Sequence, residues 1–453
     1  MSAAKVGVTP SARLNPYLLR SSVVAAIGGM LFGFDTAVIA GTTRALVETY
    51  ALSPSALGVT VSSALWGTVL GAVCSGPPSD RYGRRASLIV LGALYAVSAF
   101  GCALAWSWPA LLVFRIIGGV AIGASSVVGP IYIAEISPAA TRGRLVGLVQ
   151  MNVVAGILLA YLSNYMVSFA VSGPSAWRWK LGVLAVPAVG FLFGLFRIPE
   201  SARWLASVGR LDEARDVLER IGEPRPNEAL GAIVESIDAE HRDRREPLFQ
   251  RRYARPILLA IGIGAFNQLS GINAILYYLN DIFERAGFSG FSSDMRAVAI
   301  GFTNLVFTIA AMQMIDKLGR RRLLLVGALG TAIALAGVTA VFATGRHSEW
   351  LVWLLAGFIA SFALSQGAVI WVYLSEIFPT PVRGKGQSLG SFTHWFMNAA
   401  ISGVFPVMAA RSGAAPFAFF AAMMVVQLFV LLMLFPEPKG VTLEEMERAL
   451  NRA

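Results

Sequence analysis

The chain has 453 residues, of which 56% are hydrophobic and 14% are charged. Because soluble domains carry about 25% charged residues, this composition excludes an ordinary soluble protein. The formal net charge of +11 would suit nucleic acid, but no basic patch interleaved with aromatic residues accompanies it, so we predict no nucleic-acid partner.

Apolar runs long enough to cross a bilayer recur along almost the whole chain. A helix needs about 20 apolar residues to cross roughly 30 Å of hydrocarbon, and the alternating pattern of barrel strands is absent. The sequence therefore predicts an all-α membrane protein with twelve transmembrane helices, near residues 18–42, 57–78, 86–107, 110–134, 145–170, 178–197, 254–283, 295–315, 323–343, 350–375, 386–409 and 414–435.

The ends of the chain indicate its location and orientation. The first 20 residues lack a short apolar core with a small-residue cleavage site, so no cleaved signal peptide is predicted. Most Lys and Arg residues lie in the termini and the even-numbered connections. This asymmetry predicts a multi-pass protein of the cell (inner) membrane with both termini in the cytoplasm.

The first predicted span, in "MLFGFDTAVIAG", contains Asp35, and the fourth, in "LLVFRIIGGVAIG", contains Arg115. A lone charge inside a span is costly, so we predict that the two residues form an ion pair that can serve as a proton site. A purely structural pair that fixes helix register is the alternative. Gly33, two residues before Asp35, would permit close helix approach.

The chain repeats itself. "GPPSDRYGRRASLIVLGAL" after the second span resembles "MQMIDKLGRRRLLLVGALG" after the eighth, and "YIAEISPAATRGRLVG" resembles "YLSEIFPTPVRGKGQS". Asp80 and Asp316, like Glu135 and Glu376, lie about 240 residues apart. We predict a duplication into two six-helix bundles, 1–198 and 254–436, related by an axis along the membrane normal as in transporters with a central site. Residues 437–453 would form a cytoplasmic tail.

The segment between the bundles, 199–253, is predicted to be a cytoplasmic helical linker. Apolar residues recur in it at spacings of three and four, namely Leu205, Val208, Leu211, Ala214, Val217, Leu218 and Ile221, which is typical of an amphipathic helix. A solvated linker is the alternative.

Polar residues at two further places carry the functional prediction. Charged clusters near the helix ends, Arg84, Glu135 and Arg142 in one half and Arg320, Glu376 and Arg383 in the other, can tie helices together or merely set topology. The seventh span, "FNQLSGINAILYYLNDIF", contains Asn267, Gln268 and Asn273, which share a face only if Gly271 permits a break. Neutral amides suit polyhydroxyl ligands, although amides that pack helices together would be the simpler interpretation.

Six motifs in order, "GxxxDRYGRR", "PESARWL", "NQLSGINAILYY", "DKLGRRR", "SEIFPTPVRGK" and "PEPKG", resemble the major facilitator superfamily and, within it, the sugar porter family. The resemblance covers essentially the whole chain. It implies the major facilitator fold and a transporter of monosaccharides that works by alternating access.

The resemblance also implies roles for individual residues. It assigns substrate binding to Phe32, Gln150, Asn267, Gln268, Asn273, Trp371, His394, Trp395 and Asn398, and an outer gate to Tyr277 and Tyr278. It adds Glu200 to the charged clusters, as a cytoplasmic salt-bridge network that is intact in the outward-facing state and breaks in the inward-facing one. In symporters of this family, residues matching Asp35 and Arg115 couple sugar uptake to proton entry.

Some positions depart from the family pattern. A proline common around "QGAVIW" is absent, Asn267 stands where many members have Gln, and Ile157 replaces a polar residue of some proton-coupled relatives. At position 394, where Asn or Gln is common in glucose and xylose carriers, the histidine resembles that of fructose-accepting members. Its role stays open among sugar contact, passive packing and proton relay.

The sequence therefore predicts a proton-coupled hexose or pentose symporter, a monomer in the lipid bilayer whose partners are a monosaccharide and protons. The alternatives are a facilitative sugar or polyol uniporter, a non-transporting sugar sensor and, less in keeping with the amides, a drug exporter. We predict no enzymatic activity, because no P-loop or catalytic domain is present. No cofactor is expected, and the absence of a ligand-spaced His, Cys or carboxylate cluster predicts no metal site.

Overall fold

The computed structural model describes residues 15–138, 141–243 and 246–439, and this part of the chain is helical without any strand. The predicted class, an all-α membrane protein, is confirmed. The helices are α1 (Pro16–Val38), α2 (Thr43–Tyr50), α3 (Pro54–Cys74), α4 (Gly76–Tyr82), α5 (Arg84–Ala103), α6 (Trp108–Ile136), α7 (Arg142–Ala170), α8 (Ala176–Gly182), α9 (Ala185–Leu195), α10 (Ala202–Ser207), α11 (Leu211–Arg220), α12 (Pro226–Asp243), α13 (Ala254–Leu269), α14 (Ile272–Tyr277), α15 (Leu279–Arg285), α16 (Gly290–Leu318), α17 (Arg320–Thr344), α18 (Leu351–Leu364), α19 (Gln366–Glu376), α20 (Arg383–Arg411) and α21 (Ala415–Leu434).

Eleven stretches of the described chain are long and apolar enough to cross a membrane. Six lie in the first half, from α1 to α9, and five in the second half, from α13 to α21. The remaining predicted span, 386–409, is α20, a helix of 29 residues. It is less apolar because polar residues of the candidate site, such as His394 and Asn398, interrupt its hydrophobic surface.

Local sequence explains where several spans begin. Asn15, Ser53 and Ser107 each accept a hydrogen bond from a backbone N–H in the first turn of α1, α3 and α6, and proline occupies the first or second position of each helix. This is the usual N-terminal signal of a helix.

Glycine allows the spans to approach each other closely. Close packing matters in a membrane because lipid is as apolar as the side chains, so the hydrophobic effect does not drive helices together. A Cβ on Gly33 would lie 1.9 Å from the Val153 carbonyl oxygen, which confirms the predicted close approach. Between the halves, a Cβ on Gly58 of α3 would lie 2.0 Å from the Gly403 carbonyl oxygen of α20.

Two spans are broken near the middle of the molecule. The seventh ends its first part at Leu269, passes through Gly271 with φ of 80°, and resumes as α14, so the predicted break at Gly271 is confirmed. The tenth is interrupted between α18 and α19 at Ser365, whose φ and ψ are −122° and −93°. This second break exists although the chain lacks proline there.

The linker forms three helices, α10 to α12, instead of one continuous amphipathic helix. Ala214, Val217 and Leu218 are buried as the periodicity predicted, but Val208 and Leu211 are each 45% exposed. The periodicity fails there because α10 ends at Ser207. Gly209, with φ of 80°, then turns the chain before α11 begins.

The linker packs against the first half, where Trp204 Nε1 donates to the Asp80 carbonyl (2.8 Å) and Asn15 Nδ2 donates to the Arg220 carbonyl (2.9 Å).

We call the face of the molecule that carries Asn15, the linker and Lys439 the terminal face, and the opposite face the distal face. Most of the tail predicted at 437–453, and the side chain of Asp316, lie outside the described part of the chain.

Candidate functional site

Asp35 and Arg115 meet in the first half, as predicted. Arg115 Nη1 lies 3.8 Å from Asp35 Oδ1, and the side chains are 3% and 15% exposed. The guanidinium also donates from Nε to the Thr60 carbonyl (3.1 Å) and from Nη2 to the Val61 carbonyl (3.5 Å) of α3. The arginine is thus anchored to the backbone of α3 independently of the carboxylate, whereas Asp35 keeps some access to solvent.

A small cavity lies beside this pair. Its lining includes Phe32, Asp35, Thr36, Arg115 and, from the second half, Tyr277. Its volume of about 10 Å³ corresponds to the space that one water molecule needs. The charged pair therefore borders the interface between the halves.

The amides of the seventh span form a hydrogen-bonded chain. Asn273 Nδ2 donates to Gln268 Oε1 (3.0 Å), Gln268 Nε2 donates to Asn267 Oδ1 (3.0 Å), and Asn267 Nδ2 donates to the Gln366 carbonyl (3.4 Å). Gln268 Nε2 also lies 3.3 Å from the ring nitrogens of His394. The break at Gly271 brings Asn273 back to Gln268, as the sequence requires for a shared site.

Aromatic rings continue the site from His394 towards the first half. The His394 ring lies 5.2 Å from Trp371 and 5.0 Å from Trp395, and Trp395 lies 5.3 Å from Phe32. Trp395 is buried, whereas Trp371 is 38% exposed. The structure thus brings these four predicted residues together in one aromatic group that spans both halves.

The two adjacent tyrosines point to different places. The Tyr277 hydroxyl accepts a hydrogen bond from Asn398 Nδ2 (3.3 Å) and borders the Asp35 cavity. Tyr278 instead stacks on Phe405, with ring centroids 4.9 Å apart, and donates to the Ser402 carbonyl (3.0 Å). Tyr277 therefore contacts the predicted substrate residue Asn398, while Tyr278 packs within the second half.

Gln150 makes no hydrogen bond to the amide chain. It is half-buried in α7, and in the described part of the chain no hydrogen bond is recorded for it. Its amide is thus not held by a hydrogen bond to any described residue.

The distal face holds the two halves together through charged residues that sequence reasoning missed. Asp294 of α16 accepts hydrogen bonds from Lys180 Nζ (3.1 Å), Ser168 Oγ (2.5 Å) and Asn280 Nδ2 (2.5 Å). Lys180 and Ser168 belong to the first half, and the Lys180 and Asp294 side chains are only 9% and 3% exposed. Both charges lie near the ends of spans, where charged residues are common, so no sequence pattern indicated a buried pair.

A second, more exposed contact lies nearby. Arg44 Nη1 is 3.3 Å from Glu284 Oε2, and Thr43 Oγ1 is 3.3 Å from Asp281 Oδ1. Burial raises the pKa of the Glu284 carboxyl above its usual value, and the hydrogen bond from Arg44 opposes that rise. Together with the Asp294 cluster, these contacts close the distal end of the interface.

The terminal face carries the charged clusters, once in each half. Arg84 Nε lies 3.1 Å from Glu135 Oε2, and Arg320 Nη2 lies 3.0 Å from Glu376 Oε1. Each of these pairs lies within one half, so a movement of one half against the other does not have to break it. Both pairs are present in this structure, in which the distal face is closed.

In each half, a carboxylate that follows the last span caps the start of an earlier helix, α5 or α17. Glu200 accepts hydrogen bonds from the backbone N–H groups of Arg84 (3.0 Å) and Arg85 (2.9 Å), and Glu437 accepts those of Arg320 (2.9 Å) and Arg321 (3.0 Å). Sequence reasoning gave Glu437 no role. The signal was present, because "PES" and "PEP" follow the last span of each half.

Two further predicted members of the clusters, Arg142 and Arg383, bind backbone carbonyls. Arg142 Nη2 donates to the Ser137 carbonyl and Arg383 Nε to the Phe378 carbonyl, both at 3.5 Å. In the first half, Glu135 is held by Arg84 and by Ser201 Oγ (2.5 Å). A spacing of seven across a helix end therefore does not bring Arg142 onto Glu135, because the chain turns between α6 and α7.

Comparison with known proteins agrees with this arrangement. The protein family described as "Sugar (and other) transporter" matches residues 21–450. The chain is 35% identical to the arabinose-proton symporter of Bacillus subtilis over 439 residues, which cover 95% of each protein. It is 34% identical to the D-xylose-proton symporter of Escherichia coli over 471 residues, again covering 95% of each.

A solved structure is also similar. The inward-open conformation of the xylose transporter XylE from E. coli aligns with a TM-score of 0.86 and 33% identity, covering 96% of this chain and all of that one. The family match covers nearly the whole chain, and these relatives are more than 30% identical over nearly their whole length. The chain therefore belongs to the family of sugar transporters and is a multi-pass membrane protein of the major facilitator fold.

Proposed function

We propose that the protein is a proton-coupled monosaccharide symporter that works by alternating access. One observation carries this proposal: the Asp35–Arg115 pair shares a cavity with Tyr277, and the Tyr277 hydroxyl binds Asn398 beside the aromatic group. A proton site and a polyhydroxyl site are thus linked across the two halves by one tyrosine. Support comes from relatives named as symporters of protons with arabinose and with D-xylose.

The sugar would bind between the amide chain and the aromatic group. Gln268 and Asn273 offer donors and acceptors to hydroxyls, and Gln150, which the protein leaves unbound, would complete the site from the first half. The apolar C–H face of a sugar ring would pack on Trp395 and Trp371, with Phe32 as the opposite wall. Asn267, Asn398 and His394 would hold these groups or contact the sugar directly, and Tyr277 with Tyr278 would form the outer gate.

The coupling step follows from the geometry of the charged pair. While Asp35 is ionised it attracts Arg115, which also bonds to the backbone of α3. Protonation removes that attraction and leaves the arginine on its two carbonyl partners. The carrier would then reorient with sugar bound, and release of the proton on the other side would restore the pair.

Alternating access would be rocking of the two bundles, 1–198 and 254–436, around the central site. We propose that the terminal face, with the linker 199–253 and both chain termini, is cytoplasmic. The protein would act as a monomer in the cell (inner) membrane. The closed distal face and the similarity to an inward-open relative support an inward-facing state. The Arg84–Glu135 and Arg320–Glu376 pairs are intact in this state, unlike the network that the family resemblance leads us to expect. They would, with Glu200, Arg142 and Arg383, order the cytoplasmic ends of the spans within each half.

The decisive experiment replaces Asp35 by Asn in proteoliposomes. We expect uphill sugar accumulation driven by a proton gradient to be lost, because the site can no longer exchange a proton. Counterflow of labelled sugar should persist, and sugar addition to energised cells should no longer alkalinise the medium.

The control is Asp212→Asn, which removes an exposed carboxylate from the linker and should leave accumulation unchanged. Full accumulation by Asp35→Asn would refute the coupling role of Asp35. A parent protein that exchanges sugar but never alkalinises the medium would instead be a facilitative uniporter.

A further inference from the structure

A buried glutamine of the twelfth span lies behind the proposed sugar site. Gln427 of α21 and Gln366 of α19 are 2% and 1% exposed. Gln366 Nε2 donates to Gln427 Oε1 (2.9 Å) and lies 3.4 Å from Met424 Sδ. Gln366 Oε1 has no hydrogen-bond partner among the described residues. A buried amide is costly unless it is bonded, so the bond to Gln427 is the one strong side-chain contact that holds Gln366.

Gln366 stands at the break of the tenth span. Ser365, directly before it, has a non-helical backbone, and its hydroxyl donates to the Ser361 carbonyl (2.7 Å). A Cβ on Gly327 of α17 would lie 1.7 Å from that hydroxyl, so α17 passes close behind the break. No proline marks the break; backbone bonds to the Ser365 carbonyl begin α19, and the side chain of Gln427 anchors its first residue, Gln366.

The same residue is linked to the sugar site. The Gln366 carbonyl accepts a hydrogen bond from Asn267, Asn267 Oδ1 accepts one from Gln268, and Gln268 Oε1 accepts one from Asn273. Every amide in this chain donates towards Gln366. An amide has a donor end and an acceptor end of nearly equal shape, so this common direction decides which end each one presents to the ligand.

The direction has a consequence for recognition. Because Asn273 donates its N–H to Gln268, its Oδ1 is left to accept a proton from a sugar hydroxyl. Gln268 keeps its second N–H towards His394. Hydrogen bonds in such chains reinforce one another, so loosening one end changes the other.

We propose that Gln427 is a positioning residue for sugar recognition: by holding Gln366 it fixes both the break of the tenth span and the orientation of the amides in the seventh. This inference rests on the proposed transport of a monosaccharide. Gln427 touches no substrate itself, and its effect reaches the sugar through Gln366 and Asn267.

The test is counterflow in proteoliposomes with labelled glucose, galactose, fructose, xylose and inositol. Gln427→Met keeps the length of the side chain but removes the acceptor. We expect KM to rise about five- to tenfold, the effect of one hydrogen bond, and the KM ratio between the epimers glucose and galactose to shrink. Gln427→Glu, which keeps an acceptor oxygen, should recover most of the parent KM.

Two further variants separate positioning from stability. Thr331→Val removes a buried hydroxyl in the same half that bonds only to carbonyls of its own helix, and it should leave KM and the epimer ratio unchanged. Gln366→Met should match Gln427→Met, and the double variant should be no worse than either single one, because both remove one bond.

Thermal unfolding of each purified variant shows whether it is folded. Folded Gln427→Met or Gln366→Met with the parent KM and epimer ratio would overturn the positioning role. A parent protein that exchanges none of the five sugars would instead refute the proposed function.

Discussion

Individual side chains, namely the charged pair, the two tyrosines and His394, set the chemistry of the site. Asp35 and Arg115 were recognisable because charges are rare inside spans, and the structure pairs them at 3.8 Å. Tyr277 and Tyr278 looked equivalent, but neighbouring residues on a helix point about 100° apart, and only Tyr277 reaches the Asp35 cavity. Spacing predicts which residues are near the site, whereas the direction of each side chain depends on the tertiary packing.

His394 offers a prediction at this scale. It contacts Gln268, Trp371 and Trp395 and is almost fully buried, which favours a sugar-facing role over a solvent-linked proton relay. We expect His394→Gln to keep proton-driven accumulation and to shift the KM ratio of fructose to glucose severalfold, because Gln offers two N–H donors and a carbonyl acceptor where the neutral imidazole offers one N–H donor and one acceptor nitrogen. Uptake assays with both sugars measure this ratio. Loss of accumulation with counterflow intact would show that His394 carries protons.

Helices and their breaks were partly predictable. Gly271 marked the break in the seventh span, since glycine alone adopts φ of 80° without strain. The break in the tenth span had no such marker, because it is held by Ser365 and Gln366 through contacts with α17 and α21. A break that depends on residues distant in sequence cannot be read from local propensity.

The charged contacts of the distal ends give a prediction for whole elements. Lys180–Asp294 is buried and joins α8 to α16 across the halves, whereas Arg44, with a side chain 66% exposed, lies on the surface. Breaking a buried pair by removing one partner costs about 3–5 kcal/mol, but a surface pair is worth about 1 kcal/mol or less. Asp294→Asn should therefore shift the protein strongly towards the distal-open state, and Arg44→Met only slightly.

Distances between spin labels at the distal ends of α3 and α20 would measure this shift. The double variant Lys180→Met with Asp294→Leu removes both charges and should be closer to the parent than Asp294→Asn alone. Equal distance distributions for Asp294→Asn and Arg44→Met would contradict a closing role of the buried pair.

At the scale of the whole molecule, the backbones of the two halves pack closely where Gly58 faces Gly403. A Cβ on Gly58 would lie 2.0 Å from the Gly403 carbonyl oxygen, whereas the nearest atom to a Cβ on Gly403 would be Ser62 Oγ at 3.2 Å. The two glycines therefore differ in the space available for a side chain, with none at Gly58 and more at Gly403. We expect Gly58→Ala to prevent full closure of the distal face. Transport should slow at least about tenfold, because the cycle needs both the distal-open and the distal-closed state and the added methyl group disfavours the closed one.

Gly403→Ala is the matched control and should transport nearly as the parent does. Sugar binding to purified Gly58→Ala should persist, because the site itself is unchanged. Normal transport by Gly58→Ala would show that this contact does not limit closure.

The repeated capping carboxylates have a consequence for how the chain can be divided. Glu200 and Glu437 each lie just past the last span of their own half and bind the start of a helix in that same half. Neither bundle borrows this group from the other, so the charged set of each is complete within one continuous stretch of sequence. A gene divided inside the linker would encode two fragments, each with its own stabilising cap, whereas a C-terminal fusion that replaced "PEPKG" would strip one bundle of its cap and leave the other intact.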